Sequence, residues 1–482
     1  MSFRGKYTSA SILLHLLTIS QTTRASYRAT TAAALLSYST RKHCRSTYKG
    51  DHEYQHQSIY SRTYTSLTKL KNNPSRSDST TSNVTVERTG NLNNINMKSF
   101  QEIILQCSDG VQLAGKQWSI QKSKEKNSLD SHKILCLHGW LDNASSFNYM
   151  VSNLSTHLEK GQLLEDQQRN VEIVALDFPG HGHSSHKSSD GPTSTISEYA
   201  FYVAEALRSL KWSEIKGSSK SHLPPSSSSV SKEKNGITLI GHSMGAAVSV
   251  MFAAAFPELV DRVILLEGTG PLARKSNDVS DHLRQSITKR VSANRTIYPQ
   301  FSNLVESNET NNEEPNKHKK NSRKKMYTSL DAAIDARMKT ATLTPGEQYI
   351  SREAATALVC RAAVKSSQQI NQSQAGGEEL DLADYNGPVY FRHDARLLWP
   401  SLQYFTHEQV KSLLQDVQCP ICLITAEDGW PVDTDQAEET LNILQPTIHK
   451  LLPGSHHFHA DPQTAPDVVN EIHRFLQSEW MN

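Results

Sequence analysis

The pentapeptide Gly241-His242-Ser243-Met244-Gly245 constrains the fold of this chain more than any other segment. An apolar run over 237–240 precedes it, and an alanine-rich segment over 246–255 follows it. This order predicts a buried strand, a tight turn and a buried helix, with the Ser243 hydroxyl exposed at a turn whose neighbours must be small. Glycine, serine and glycine at this spacing form a weak signal alone, so the prediction also depends on the partners described below.

Short apolar segments alternate with segments of helical periodicity from residue 100 onward. The Asp109-Gly110 pair predicts a tight turn in a β-hairpin. Strands are predicted at 102–107, 111–118, 133–137, 171–176, 237–240, 260–266, 420–425 and 447–452, and helices at 195–212, 434–443 and 465–479. Continuous apolar strands joined through helices predict a mostly parallel sheet buried on both faces, with the chemistry at the carboxyl ends of the strands.

Three polar segments stand outside this pattern, at 1–98, about 216–235 and about 303–327. The first 50 residues contain eight Lys or Arg and no Asp or Glu, which is typical of an organellar transit peptide. We therefore predict a targeting presequence and disordered linker over 1–98, with the mitochondrion favoured over the plastid, the secretory route and the cytoplasm. Residues 99–482 are predicted to form the main domain, with a helical cap insertion at about 269–418 and polar loops at the other two segments.

The formal net charge of +2 provides no electrostatic argument for a nucleic-acid partner or an anionic membrane. The apolar patch at 12–17 is too short to cross a bilayer, so no integral membrane segment is expected. Six cysteines in 482 residues do not indicate a disulfide scaffold. Cys419 and Cys422 have the spacing of a redox or zinc pair, but they lie three apart on a predicted strand and would face opposite sides, which disfavours such a pair. The expected partner is a small-molecule substrate, and the oligomeric state stays open.

Ser243 is the candidate nucleophile, and a serine hydroxyl needs a base that is itself oriented by an acid. The loop after the last predicted strand contains three histidines, of which His456 is the candidate base. Asp428 lies just after the penultimate strand and is the first choice for the acid. The alternatives are Glu267, after the strand that follows the pentapeptide, and Glu427 and Asp433, beside Asp428.

The oxyanion of a tetrahedral intermediate needs backbone donors. Met244, directly after the nucleophile, and Trp140, after the strand at 133–137, are the candidate donors. The histidines at 181–186 and at 456–459 could also bind a metal. A structural loop is the favoured interpretation of the first cluster, and a catalytic base is that of the second. We expect no cofactor and no metal.

Three motifs together resemble the α/β-hydrolase superfamily, and within it the serine hydrolase-like proteins related to kraken-type hydrolases. They are the segment His138-Gly139-Trp140-Leu141-Asp142-Asn143-Ala144-Ser145-Ser146-Phe147, the segment Asp177-Phe178-Pro179-Gly180-His181-Gly182-His183-Ser184-Ser185-His186, and the pentapeptide at 241–245. The segments Phe391-Arg392-His393-Asp394-Ala395-Arg396-Leu397 and Pro453-Gly454-Ser455-His456 extend the similarity, which covers roughly 100–480.

The resemblance implies an α/β-hydrolase fold with a mostly parallel eight-stranded sheet, helices on both faces and a helical cap insertion. It also implies hydrolysis of an ester or related acyl bond of a small, apolar substrate through a Ser-His-Asp triad and an acyl-enzyme, without cofactor. Carbon–carbon bond hydrolysis, cofactor-free perhydrolysis and a non-catalytic binding module remain alternatives. Epoxide hydrolases and haloalkane dehalogenases are disfavoured because they carry an aspartate where this chain has Ser243.

Overall fold

The computed structural model describes residues 98–121, 131–159, 170–188, 195–213, 236–297, 325–346, 348–432 and 434–478. All but the last residue of the predicted presequence and linker at 1–98, the polar insertion at 216–235 and most of the insertion at 303–327 therefore lie outside the described residues. Asp433 also lies outside them. Among the described ranges, every helix is too short or too polar to span a lipid bilayer.

An eight-stranded sheet forms the centre of the fold. Its strands are β1 (Gln101–Gln106), β2 (Gln112–Ile120), β3 (Ser131–Leu137), β4 (Asn170–Leu176), β5 (Ile237–His242), β6 (Val260–Leu266), β12 (Ile421–Asp428) and β13 (Ile448–Ser455). They lie in the order β1-β2-β4-β3-β5-β6-β12-β13, and β2 alone among them runs opposite to its neighbours. The prediction of a mostly parallel eight-stranded sheet is confirmed.

The β1–β2 hairpin turns at Gly110, whose φ of 86° is the left-handed conformation that favours glycine. The central strands are buried along most of their length, as their continuous apolar runs predict. Strand β6 matches its predicted bounds, whereas β12 continues through Asp428. That extension places Asp428 opposite Ser455 of β13 after a shift of register.

Helices cover both faces of the sheet. They are α1 (Asn148–Glu159), α2 (Ile196–Ser209), α3 (Met244–Ala255), α7 (His407–Gln415), α8 (Thr434–Leu444) and α9 (Ala465–Gln477). Side chains of α2, α3 and α7 share one apolar core with the sheet, and side chains of α1 and α9 share the other. Thr195 begins α2 with a reciprocal capping box with Glu198.

Between β6 and β12 the chain forms the smaller elements of the predicted cap. They are β7 (Ala273–Arg274), α4 (Val279–Ile297), β8 (Met326–Tyr327), α5 (Leu330–Ala341), α6 (Arg352–Ala362), β9 (Ala363–Lys365), β10 (Val389–Phe391) and β11 (Phe405–Thr406). Helices α5 and α6 pack on each other around a third apolar core that includes Leu330, Ile334 and Leu358. The cap therefore has a small hydrophobic core of its own.

Arg361 of α6 joins the cap to the central sheet through buried charge. Its guanidinium donates to Asp177, after β4, at 2.9 Å and to Glu102 of β1 at 2.6 Å. Glu379 of the cap lies 3.6 Å from Arg361 and 2.8 Å from Lys116 of β2. Arg361, Asp177 and Lys116 are fully buried, so each depends on these partners for compensation of its charge.

Candidate active site

Ser243 lies in the turn between β5 and α3 with φ of 52° and ψ of −111°. Its amide donates to Leu266 O at 2.9 Å, which ties the turn to the end of β6. Ser243 occupies the N-cap position of α3, yet its hydroxyl makes no capping hydrogen bond with that helix. A strained backbone at a non-glycine residue, together with a hydroxyl that does not cap the helix, is the geometry of a nucleophile elbow.

The two glycines of the pentapeptide are required by close backbone contacts. A Cβ on Gly241 would lie 2.3 Å from Gly245 O, and a Cβ on Gly245 would lie 1.9 Å from Leu137 O. Real Cβ atoms do not approach carbonyl oxygens so closely, so these positions exclude every larger residue. The same Cβ on Gly245 would lie 3.0 Å from His138 O, so the elbow packs directly on the end of β3 and the start of the turn that follows it.

Glu267 is the carboxylate that the structure pairs with His456. Its Oε2 lies 3.0 Å from Nδ1 of His456 and accepts a hydrogen bond of 2.9 Å from the amide of Trp430. Its Oε1 accepts from the amide of Ala426 at 2.6 Å. Burial would raise the pKa of Glu267, but the hydrogen bond with His456, its charge and the two amide donors together hold that pKa below its ordinary value.

Asp428, the first choice from the sequence, does not occupy this position. Asp428 and Glu427 are exposed at the end of β12, whereas Glu267 is held at the end of the neighbouring strand β6. This corrects the preference for Asp428 over Glu267. The physical reason is that β12 continues two residues past its last buried position, so its terminal carboxylates emerge into solvent.

His456 is held from three directions. Its carbonyl accepts a hydrogen bond of 2.8 Å from Nε2 of His242, the residue before the elbow serine. Its amide donates to Oε1 of Gln348 at 2.8 Å, and the Gln348 amide in turn donates to Gly429 O at 2.8 Å. The elbow and the cap segment before α6 thus hold the backbone of His456, and Gln348 links it to the loop after β12. Because Nδ1 faces Glu267, the opposite nitrogen Nε2 is the proton acceptor of this tautomer.

A second carboxylate and imidazole lie beside the first pair. Asp142, in the turn after β3, lies 3.1 Å from Nε2 of His457 and 3.0 Å from the guanidinium of Arg337 of α5. Burial would raise the pKa of Asp142, but the neighbouring His457 and Arg337 hold it well below its ordinary value. This cluster fastens the turn after β3 to the cap and to the loop of His456.

The two candidate oxyanion donors belong to loops that touch each other. Met244 is the first residue of α3, where helix amides have no partner within the helix. Trp140 lies in the turn after β3, and the Gly245 contact described above brings that turn against the elbow. The indole Nε1 of Trp140 donates to Leu397 O of the cap at 3.1 Å, so its ring is held at the boundary between cap and sheet.

No three His, Cys, Asp or Glu side chains within the described residues are placed to hold a metal ion. In the predicted structural loop after β4, burial lowers the pKa of His181 and His183 to about 3, and His181 Nδ1 lies 3.1 Å from Pro179 O. Burial raises the pKa of Cys419 and Cys422 to about 12, which disfavours the thiolate that redox chemistry needs.

Gln348, Arg337 and Asp142 are site residues that the sequence reasoning missed. Asp142 lies in the motif at 138–147, two residues after the candidate oxyanion donor Trp140, and this proximity could have identified it as a site residue. Gln348 and Arg337 lie in the cap, where no local pattern distinguishes them from other polar residues. In the cap segment at 391–397, Asp394 pairs with Arg396 at 2.7 Å, which makes that segment an internal ion pair.

Comparison with known proteins identifies the family of the chain. The model of the alpha/beta hydrolase family matches residues 134–472. A serine hydrolase-like protein of Dictyostelium discoideum is 26% identical over 381 residues, covering 78% of this chain and 81% of the relative. Human serine hydrolase-like protein 2 is 25% identical over 379 residues, covering 76% of this chain and 93% of the relative.

Among solved structures, a hypothetical protein of Pseudomonas aeruginosa PAO1 has a TM-score of 0.53 and 26% identity, covering 79% of this chain and all of that one. The expected resemblance to the serine hydrolase-like proteins is confirmed by these similarities. The strand order, the elbow and the family match over most of the described residues lead to one conclusion: the chain belongs to the alpha/beta hydrolase family and is a hydrolase.

Proposed function

We propose that this hydrolase cleaves an ester or related acyl bond of a small, apolar substrate through Ser243, His456 and Glu267. The observation that carries the proposal is the 3.0 Å pair between Glu267 Oε2 and His456 Nδ1, with His242 joining His456 to the elbow. The partly buried side chain of Met244 and the partly exposed ring of Trp140 support an apolar substrate.

In the proposed reaction, Nε2 of His456 removes the proton of the Ser243 hydroxyl as the oxygen attacks the acyl carbon. The amides of Met244 and Trp140 stabilise the oxyanion, and loss of one such donor typically lowers turnover by about 100 to 1,000-fold. The imidazolium, stabilised by the ionised Glu267, returns the proton to the leaving group and leaves an acyl-enzyme on Ser243. A water molecule, deprotonated by the same nitrogen, then releases the acid and restores the serine.

Labelling with a fluorophosphonate probe tests the nucleophile. The wild-type chain is expected to react, and Ser243→Ala is expected to lose both labelling and about 10⁶-fold of turnover on p-nitrophenyl esters. Ser249→Ala is the matched control, because Ser249 lies in the same helix but donates its hydroxyl proton to Gly245 O. Equal labelling of the wild type and Ser243→Ala would refute the proposal. Labelling without turnover of any ester would favour carbon–carbon bond hydrolysis or perhydrolysis instead.

We also propose that residues 1–98 direct the chain to the mitochondrion, supported by eight basic and no acidic residues in the first 50. A fluorescent fusion of residues 1–98 is expected to co-localise with a mitochondrial marker. Replacing Arg24, Arg28 and Arg41 with glutamine is expected to abolish that localisation. Localisation of the unaltered fusion to the plastid or secretory route would overturn the assignment.

A further inference from the structure

The turn after β3 holds a strained residue directly after the candidate oxyanion donor Trp140. The amide of Asp142 donates to Gly139 O at 3.1 Å, which closes a four-residue β-turn over 139–142. Leu141, at the third position of this turn, has φ of 62°. A positive φ at that position is typical of a type II turn, where glycine or asparagine is the usual residue. A leucine is disfavoured in this left-handed conformation on the order of tenfold.

The hydrogen bond that closes the turn also orients the candidate oxyanion donor. The carbonyl of Gly139 and the amide of Trp140 belong to one planar trans peptide group, so the two point in opposite directions. Because Gly139 O points at the Asp142 amide, the Trp140 N–H is directed away from the interior of the turn. If Leu141 left the left-handed conformation, the Asp142 amide would move away from Gly139 O and this peptide group would be free to rotate.

The Asp142 side chain fixes the end of the turn through groups that lie outside it. A strained residue persists only where its surroundings hold it in place. Asp142 is 3% exposed, and its Oδ1 accepts a hydrogen bond of 3.0 Å from Arg337 of the cap helix α5. Its Oδ2 lies 3.1 Å from Nε2 of His457, in the loop after β13. The cap and the loop that contains His456 thus hold the residue next to Leu141.

We propose that Asp142 is a positioning residue for the hydrolysis proposed above. By holding Leu141 in its left-handed conformation, Asp142 directs the Trp140 amide toward the oxyanion. The inference rests on the proposed function, because it assigns the Trp140 amide the role of oxyanion donor.

The charge of Asp142 alone predicts the opposite effect on turnover. Its Oδ2 lies close to the peptide that carries the oxyanion donor, since a Cβ on Gly139 would lie 3.0 Å from it. An anion at this place repels a developing oxyanion, so its removal would by charge alone raise turnover. A fall in turnover when Asp142 is removed therefore reports the geometry of the turn.

A set of double variants tests the proposal through kcat and KM on a p-nitrophenyl ester. Asp142→Ala is made in the wild type, in Leu141→Ala and in Leu141→Gly. Both substitutions at Leu141 remove the leucine side chain, but alanine keeps the Cβ that disfavours a positive φ, whereas glycine does not. Leu141→Ala is therefore the matched control for Leu141→Gly.

Asp142→Ala is expected to lower kcat about tenfold in the wild type and in Leu141→Ala, because the turn then relaxes out of its strained conformation. In Leu141→Gly, where no strain has to be held, the loss is expected to be at most about threefold. KM is expected to stay within about twofold in every case, since the oxyanion contact is made in the transition state.

Arg337→Met is a second, milder variant, and it carries the test if Asp142→Ala does not fold. Arg337 is partly exposed, and His457 still holds the carboxylate in its absence. Arg337→Met is expected to lower kcat less than Asp142→Ala does, and to lower it less in Leu141→Gly than in Leu141→Ala. Lys339→Met is the control, because Lys339 is exposed on the same helix, and its kcat is expected to match that of the wild type.

A merely structural role for Asp142 would lower the unfolding midpoint and would reduce kcat by the same factor in Leu141→Ala and in Leu141→Gly. Equal factors in these two backgrounds, or a rise in kcat on removal of Asp142, would overturn the proposal. Fluorophosphonate labelling distinguishes this failure from failure of the proposed function. A wild type that does not label refutes the hydrolysis through Ser243, whereas a wild type that labels while the factors are equal refutes the role of Asp142 alone.

Discussion

Replacing Glu267 with glutamine is expected to lower kcat by about 10⁴-fold, equivalent to about 5.5 kcal/mol of transition-state stabilisation. The carboxylate accepts three hydrogen bonds, from His456 Nδ1 and from the amides of Ala426 and Trp430. A glutamine has one acceptor oxygen, so its NH₂ group must face at least one backbone donor. In one orientation it also faces His456 and reverses the tautomer, and in either orientation the charge that stabilises the imidazolium is gone.

Asp428→Asn is the matched control, because the exposed Asp428 is the acid that the sequence favoured. Its kcat is expected to stay within about twofold of the wild type, as for surface substitutions away from the site. Initial rates on a p-nitrophenyl ester and the rate of fluorophosphonate labelling measure both variants. A large loss in Asp428→Asn together with near-normal activity in Glu267→Gln would refute the reasoning and return the acid role to Asp428.

Two further predictions concern stability. Burial lowers the pKa of His459 to about 3, so between about pH 6.5 and pH 3 the unfolded chain binds more protons and stability falls as the solution becomes more acidic. The free energy of unfolding is measured in urea at pH 7 and pH 5 for the wild type and for His459→Phe. Between these two pH values the variant is expected to lose about 2 kcal/mol less than the wild type. Equal losses would contradict the burial argument. Arg361→Met leaves Asp177 buried without its cation and is expected to lower the free energy of unfolding by about 3–5 kcal/mol. Arg352→Met in the same helix breaks only exposed pairs and is expected to cost less than about 1 kcal/mol, so similar losses in the two variants would contradict it.

The sheet was predictable because its strands are local signals. Strand β6 at 260–266 ends in an apolar run over 263–266 that identifies it without reference to the rest of the fold, and the Asp109-Gly110 turn defines the hairpin in the same way. The nucleophile elbow was also predictable from a short segment, since Gly241 and Gly245 flank Ser243 at a strand end. Each of these signals lies within about ten residues of sequence.

The identity of the acid could not be predicted from a local sequence pattern. Glu267 and Asp428 both follow strands, and sequence gives no measure of which strand end faces His456. The choice is decided by the lateral order of β6 and β12 and by how far β12 continues, and both depend on packing across more than 150 residues. Arg361 is a similar case, because its partners lie 184 and 259 residues away.

The buried charges around Arg361 have a consequence for how substrate enters. Moving α6 away from the sheet would remove Arg361 from Asp177 and leave that carboxylate buried without its cation, which is a large barrier to any such motion. This helix is therefore a fixed wall, and a ligand must enter through a part of the protein that buried ion pairs do not hold in place. A fixed wall loses little conformational freedom when a ligand binds beside it.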